Sequence, residues 1–299
     1  MERLIQALYA VTIPILVNNG WVCHVWECMR IIVLDSIVLG SVAMYDALAR
    51  HRAIESIVTG ESPRGQLRKY YRFRADRWYG GIATGDVVGC GLLCRFCWVS
   101  DKILEQPDIF GDFLAPQEAA LKLLRVAQGR NLVQLRLSGG EPTLGRPHLL
   151  GVLSEVEKGN RFRFILETNG ILLGADPSYC SDLAAFHGLH VRVSLKGSCE
   201  DEFARLTGAK GDGFTLQLDA LRNLVEAGAS CHPAVMSSFS THDTLHELRN
   251  RVSSIDRKLT GDLELEELIR YPRVERRLQK FGITPHVSHD PGNVPERLI

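Results

Sequence analysis

The chain has 299 residues, 45% hydrophobic and 23% charged, and its 35 basic and 35 acidic side chains cancel to a formal net charge of zero. That balance fits one large α/β domain with a substantial core, and it gives no global electrostatic reason to expect nucleic acid or an anionic membrane as partner. Eight cysteines over this length are too sparse for a disulfide scaffold, so free thiols in a reducing, cytoplasmic compartment are expected.

Residues 1–43 read unlike the rest. Apolar runs over 4–17 and 31–44 are interrupted by Pro14 and Asp35, and neither reaches the roughly 18 uninterrupted apolar residues of a spanning helix. Arg3 is the only basic residue before the first run and no clear small-residue cleavage site follows it, which speaks against an export signal. The segment is expected to lie outside the main domain, upstream of a natural start at Met44. Cys23 and Cys28, on either side of His24, read as incidental thiols.

Residues 44–77 read as a helical and basic lead-in. Leu48, Ile54, Ile57 and Val58 suit a helix over 45–59, which Gly60 can end. Residues 64–78 then interleave arginines and a lysine with tyrosines, a phenylalanine and a tryptophan. Such a stretch can hold phosphates and stack bases, but the charge bias stops there. The preferred reading is a solvated approach to the first strand, with its aromatics packed on the core. Residues 79–88 supply that strand.

Next comes a loop over 89–98 with Cys90, Cys94 and Cys97 at C-x3-C-x2-C spacing and no fourth cysteine nearby. Thiolates are soft ligands for zinc or an iron–sulfur cluster. A structural zinc site wants four closed ligands, so three on one loop leave a metal position open. A zinc loop with a distant fourth ligand, or three unrelated thiols, remain the alternatives.

Beyond the loop the pattern repeats. Helices are expected over 116–128, 147–158, 178–186, 214–227, 242–253 and 274–281, and strands over 132–137, 162–166, 190–195, 229–236 and 263–269. Strands alternating with helices imply parallel βαβ units. About six units fit between Tyr79 and Phe281, too few for a full eight-fold barrel. The chain is therefore expected to form a partial (β/α)6, TIM-like barrel over 78–282, with N- and C-terminal extensions. The tail over 283–299 reads as irregular; it holds no cysteine, so no second cluster is expected from it.

In parallel βα folds the binding groups gather at the C-terminal strand ends, and three further motifs fall there. Ser138-Gly139-Gly140-Glu141-Pro142 follows the second strand, Glu167-Thr168-Asn169-Gly170 the third, and Ser194-Leu195-Lys196 the fourth. With the cysteine spacing and Phe96 before the third cysteine, this order resembles the radical S-adenosylmethionine (SAM) superfamily, and feels nearest to its activating-enzyme and molybdenum-cofactor-type members. The resemblance covers about 79–236.

That resemblance implies the same partial barrel and a [4Fe-4S] cluster whose three irons are held by Cys90, Cys94 and Cys97. The fourth iron is chelated by the amino and carboxylate groups of SAM. The reduced cluster cleaves the cofactor to methionine and a 5′-deoxyadenosyl radical, which abstracts hydrogen from a substrate. In this reading Phe96 packs near the adenine, and Ser138, Gly139, Gly140 and Glu141 hold the methionine amino group. Thr168 and Asn169 add polar contacts. Ser194 stands where glycyl-radical-enzyme activases have aspartate, and Lys196 is a charge partner for the carboxylate. Val235 and Met236 suit an adenine wall or plain strand core, and Cys231 a buried thiol. An external flavodoxin- or ferredoxin-like electron donor is implied. The substrate is unread: a protein glycine, as for an activase, or a small molecule, with a peptide or RNA as further options. A non-catalytic iron–sulfur or zinc module is the rival class.

Overall fold

The computed structural model describes residues 44–159 and 161–298, so the expectations placed on residues 1–43 lie outside it. Alternation is the organising fact of the sheet. Along Leu135-Arg136-Leu137-Ser138 and Val191-Arg192-Val193-Ser194, the apolar residues are buried in the main core. The polar ones turn to the opposite face, as strand geometry requires. Helices cover the apolar face and leave the polar face to line the inside.

The strands are β1 (Thr59–Gly60), β2 (Leu67–Asp76), β3 (Ile82–Val87), β4 (Asp112–Leu114), β5 (Gln134–Gly139), β6 (Arg163–Thr168), β7 (Leu189–Leu195), β8 (Cys231–Met236) and β9 (Glu264–Glu266). From β3 through β5, β6, β7, β8 and β9, neighbours pair in parallel and in sequence order. Helices Pro116–Gly129, Arg146–Glu157, Pro177–Ala184, Asp212–Glu226 and His242–Ile255 make the crossovers. With helix Pro272–Lys280 following β9, they make the six βα steps of a partial barrel, in sequential order as right-handed crossovers favour. The helices start where the sequence signals a start: Pro116, Pro147 and Pro177 sit in first turns, and Asp176 and Thr241 cap with side-chain oxygens. Fully buried Leu123, Leu149, Val152 and Leu221 close the core against Leu135, Leu137 and Val193, each leucine contributing about 1.5–3 kcal/mol by leaving water.

Four details differ from the sequence expectation. The basic–aromatic lead-in is not a solvated approach but the ten-residue strand β2, antiparallel to β3 and also paired with β4. Its charges find partners inside: Arg68 donates to the carbonyls of Leu144 (2.9 Å) and Glu141 (3.2 Å), and Lys69 to those of Pro107 (3.0 Å) and Asp108 (2.6 Å). The first parallel strand begins at Ile82 because Trp78–Gly80 is a 3-10 turn in which Tyr79 is left-handed (φ 57°). The strand expected over 263–269 is divided at Glu267: β9 pairs with β8, while β10 (Leu268–Ile269) pairs with β11 (Ser288–His289), so the tail is partly ordered. Short helices at Asp101–Glu105, Ile171–Ala175, Glu200–Thr207 and Arg257–Gly261 carry too few residues to show a period. Among the described residues, no helix is long and apolar enough to cross a membrane.

Candidate functional site

The cysteine loop leaves the end of β3 and is packed against the loop that leaves β5. The Gly140 and Glu141 amides donate to the carbonyls of Val87 and Gly89, both at 2.8 Å. A Cβ on Gly140 would stand 2.1 Å from the Gly89 oxygen, so only glycine permits this approach. Arg277, on helix Pro272–Lys280, fastens the cysteine loop from its other side. Its guanidinium donates to the carbonyls of Cys97 (2.6 Å), Val99 (3.1 Å) and Cys94 (3.4 Å) and pairs with Asp101. Tyr45 helps from below, its hydroxyl accepting from the Leu93 amide at 2.8 Å.

Cys90, Cys94 and Cys97 are free and open on one cavity of about 990 Å³ at the strand ends. Burial pushes all three thiols up, Cys94 to about 12; at Cys90 the Glu141 carboxylate adds to the effect, and at Cys94 and Cys97 the cations Lys196 and Arg277 oppose it. Crowded thiols in such a place ionise only against a compensating cation, which is the environment of a metal-binding set. Among the described residues, no three His, Cys, Asp or Glu side chains converge so as to hold a single ion. Thiols spread along a loop suit a polynuclear cluster, in which each sulfur takes its own iron. Three cysteine thiols on one loop are a donor set that fits an iron–sulfur cluster.

The other anticipated residues meet around the same cavity, which Phe96, Ser138, Glu141, Asn169, Ser194 and Lys196 help to line. Glu141 is 2% exposed, and its carboxylate ties two loops together. Oε1 accepts from the Thr143 amide (3.1 Å), the Thr143 hydroxyl (2.7 Å) and the Thr168 hydroxyl (2.7 Å), and Oε2 from the Asn169 amide (2.8 Å). With one donor on it, Oε2 keeps room for another. The Thr168 hydroxyl is itself engaged, also accepting from the Gly170 amide at 3.1 Å. Ser138 donates to Glu167 at 3.2 Å. Lys196 donates to Ser194 Oγ at 2.6 Å and Ser194 to Glu266 at 3.2 Å. Phe96 lies tilted on Phe239, with ring centroids 5.7 Å apart.

Sequence reading missed the charged floor below these groups. Arg136 donates to Thr84 (2.9 Å), Glu167 (2.9 Å) and Asp76 (2.8 Å). Arg192 holds Glu264 through two bonds of 2.8 Å and pairs with Glu266 at 2.9 Å. Burial raises the Glu264 carboxyl, but hydrogen bonds from His232 and Arg192 outweigh it and hold the group well below the usual carboxylate range. Tyr79, left-handed in its turn, donates to Glu167 at 2.7 Å. Tyr71 also lines the cavity; it sits at the register shift between Tyr70 and Arg72 in the β2–β3 pairing. The available signal was polar or charged residues at alternate positions of otherwise apolar strands, Arg136 and Ser138, then Arg192 and Ser194, then Glu264 and Glu266. His51 had none: it is fully buried beneath the cysteine loop, and burial lowers its pKa.

Fold and site together define a parallel α/β protein with a three-thiol loop at its strand ends. Over residues 86–252 the sequence matches the family described as the Radical SAM superfamily, and the chain belongs to that family, whose enzymes use a [4Fe-4S] cluster and SAM. Among curated proteins it is 29% identical, over 132 residues, to a "Probable GTP 3′,8-cyclase" of Thermoplasma volcanium, covering 44% of this chain and 37% of the relative. It is 28% identical, over 143 residues, to a protein of the same description from Saccharolobus islandicus, covering 46% of this chain and 41% of the relative. The match thus spans about two-fifths of those relatives' length. Among solved structures, Streptococcus suis SuiB bound to S-adenosylmethionine aligns with a TM-score of 0.45 and 16% identity, over 70% of this chain and 45% of that one.

Proposed function

We propose that this chain is a radical SAM enzyme that abstracts hydrogen from a small, polar substrate enclosed at the strand ends. The observation that carries this is one cavity, of about 990 Å³, shared by the three thiols, Lys196 and the charged floor of Arg192, Glu264 and Glu266. That volume is at the upper end of small-molecule sites. When bound, the cluster and SAM supply a 5′-deoxyadenosyl radical. Cys90, Cys94 and Cys97 would hold the irons. Lys196, whose ammonium donates to the Ser194 hydroxyl, would meet the cofactor's carboxylate, and Glu141 Oε2 its amino group. Phe96 and Met236 offer the apolar side of the cavity for the adenine and help keep water out.

A small substrate is favoured because the C-terminal segment lines the same cavity through Leu268, Tyr271, Arg273 and Leu298, leaving less room for a docked protein loop. The named activity of the relatives, on a nucleotide, points the same way. An external one-electron carrier, flavodoxin- or ferredoxin-like, completes the system.

The test is anaerobic reconstitution with iron and sulfide, followed by reduction with SAM present. About one cluster per chain and release of 5′-deoxyadenosine are expected, and Cys94→Ala should remove both. A protein that takes up no cluster, or one that is loaded and yields no 5′-deoxyadenosine, sinks the reading.

A further inference from the structure

Beneath the cysteine loop, three side chains form a hydrogen-bonded chain whose proton positions follow from chemistry. His51 Nδ1 lies 2.7 Å from the Ala47 carbonyl, one helical turn earlier. A carbonyl only accepts, so Nδ1 carries the hydrogen, and in the neutral ring Nε2 must be an acceptor. Asn169 Nδ2 meets it at 2.9 Å and donates. The amide cannot be turned the other way, because Asn169 Oδ1 accepts from the Ile171 amide at 3.0 Å. The second hydrogen of the same nitrogen is directed at Cys90 Sγ, 3.6 Å away. That sulfur also receives the Leu92 amide at 3.4 Å. The ring is seated tightly, since a Cβ on Gly91 would stand 2.0 Å from His51 Nδ1.

We propose that His51 is a positioning residue: it fixes the Asn169 amide so that an N–H points at the Cys90 sulfur, and so raises the reduction potential of the cluster that sulfur holds. The inference rests on the cluster-ligand reading of Cys90 given above. An N–H donated to a ligating thiolate draws off electron density and favours the more negative, reduced state of a cluster. His51 is not among the residues that line the cavity; it acts through Asn169.

The test is an anaerobic redox titration of the reconstituted protein, read by electron paramagnetic resonance on samples of matched iron content. His51→Phe keeps a planar ring but offers no acceptor, and Asn169→Leu removes the donor itself. Each should lower the potential, so that at a fixed poise the ratio of reduced to oxidised cluster falls about tenfold, equivalent to about 59 mV for one electron. The double variant should fall no further than Asn169→Leu alone, since both act on one hydrogen bond. His51→Gln, with an amide oxygen to receive Asn169, should recover most of the potential. It also decides the matter if the phenylalanine variant does not fold: a Gln variant at the wild-type potential, with Asn169→Leu low, supports the inference. Asn169→Leu or His51→Phe loaded with a full cluster at the wild-type potential overturns it, as do additive shifts in the double variant. Failure of the wild-type protein to take up any cluster refutes the proposed function instead, so the two outcomes are separate.

Discussion

Replacing Arg192 by methionine keeps most of the side-chain volume but removes the cation between two carboxylates on β9. The guanidinium is 6% exposed, while Glu264 is 44% exposed and Glu266 27%. Removing one partner of a fully buried pair costs about 3–5 kcal/mol. With both carboxylates partly in water, the expected loss is nearer 2–3 kcal/mol. For a domain of this size that lowers the melting temperature by roughly 4–12 °C. The pH dependence follows from Glu264, whose folded pKa is depressed. Its stabilisation is present above the unfolded value of about 4.3 and is lost as pH falls through the lower folded value. The deficit of the variant should therefore be full at neutral pH and narrow below about pH 4. Thermal melts of the metal-free protein across this range, read by circular dichroism, test both points. Adding Glu264→Gln and Glu266→Gln to the methionine variant should restore over half of the loss. A variant that melts with the wild type at neutral pH, or whose deficit stays constant into acid, refutes the reasoning.

Three further outcomes are expected. Gly140→Ala puts a methyl group 2.1 Å from the Gly89 oxygen; the loops should separate, and the protein should bind markedly less iron under conditions that load the wild type, measured by iron and sulfide content. Lys196→Met should leave cluster content unchanged but weaken SAM binding about tenfold or more, as loss of a charge-assisted contact does, measured by equilibrium dialysis. Arg277→Met should lower iron retention during gel filtration while the fold, followed by circular dichroism, is kept.

The repeating part of this chain was legible because its signals are local. Alternating apolar strands, helix-starting prolines and glycine stops located the six parallel steps. The cysteine spacing together with Gly139–Glu141 located the mouth. What escaped depends on distant partners. Residues 64–78 read as solvated because arginines in isolation belong in water; Arg68 is buried only because the carbonyls of Leu144 and Glu141, more than 70 residues away, receive it. His51 looked like any residue on a lead-in helix until the cysteine loop was laid on top of it. Glu141 was anticipated as a ligand-facing acid, and the structure shows it first as the tie between the loops after β5 and β6, through Thr168 and Asn169. Motifs announce where chemistry gathers, but not how much of each side chain is occupied in holding the place together.

The clamp by Arg277 has a bearing on the order of events during synthesis. The guanidinium that grips the Cys97 carbonyl lies 180 residues further along the chain. At about 5–20 residues per second, a ribosome takes roughly 9–36 s to make that stretch. Throughout that interval the three thiols have emerged without the helix that secures their loop, while the strands that wall the cavity, β5 to β9, are made one after another. Iron delivered early would meet loose thiolates open to oxidation and to the wrong metal. Delivered after the helix has docked, it meets a finished socket. The clamp on the cysteine loop therefore closes only after every strand from β3 to β9 has been made.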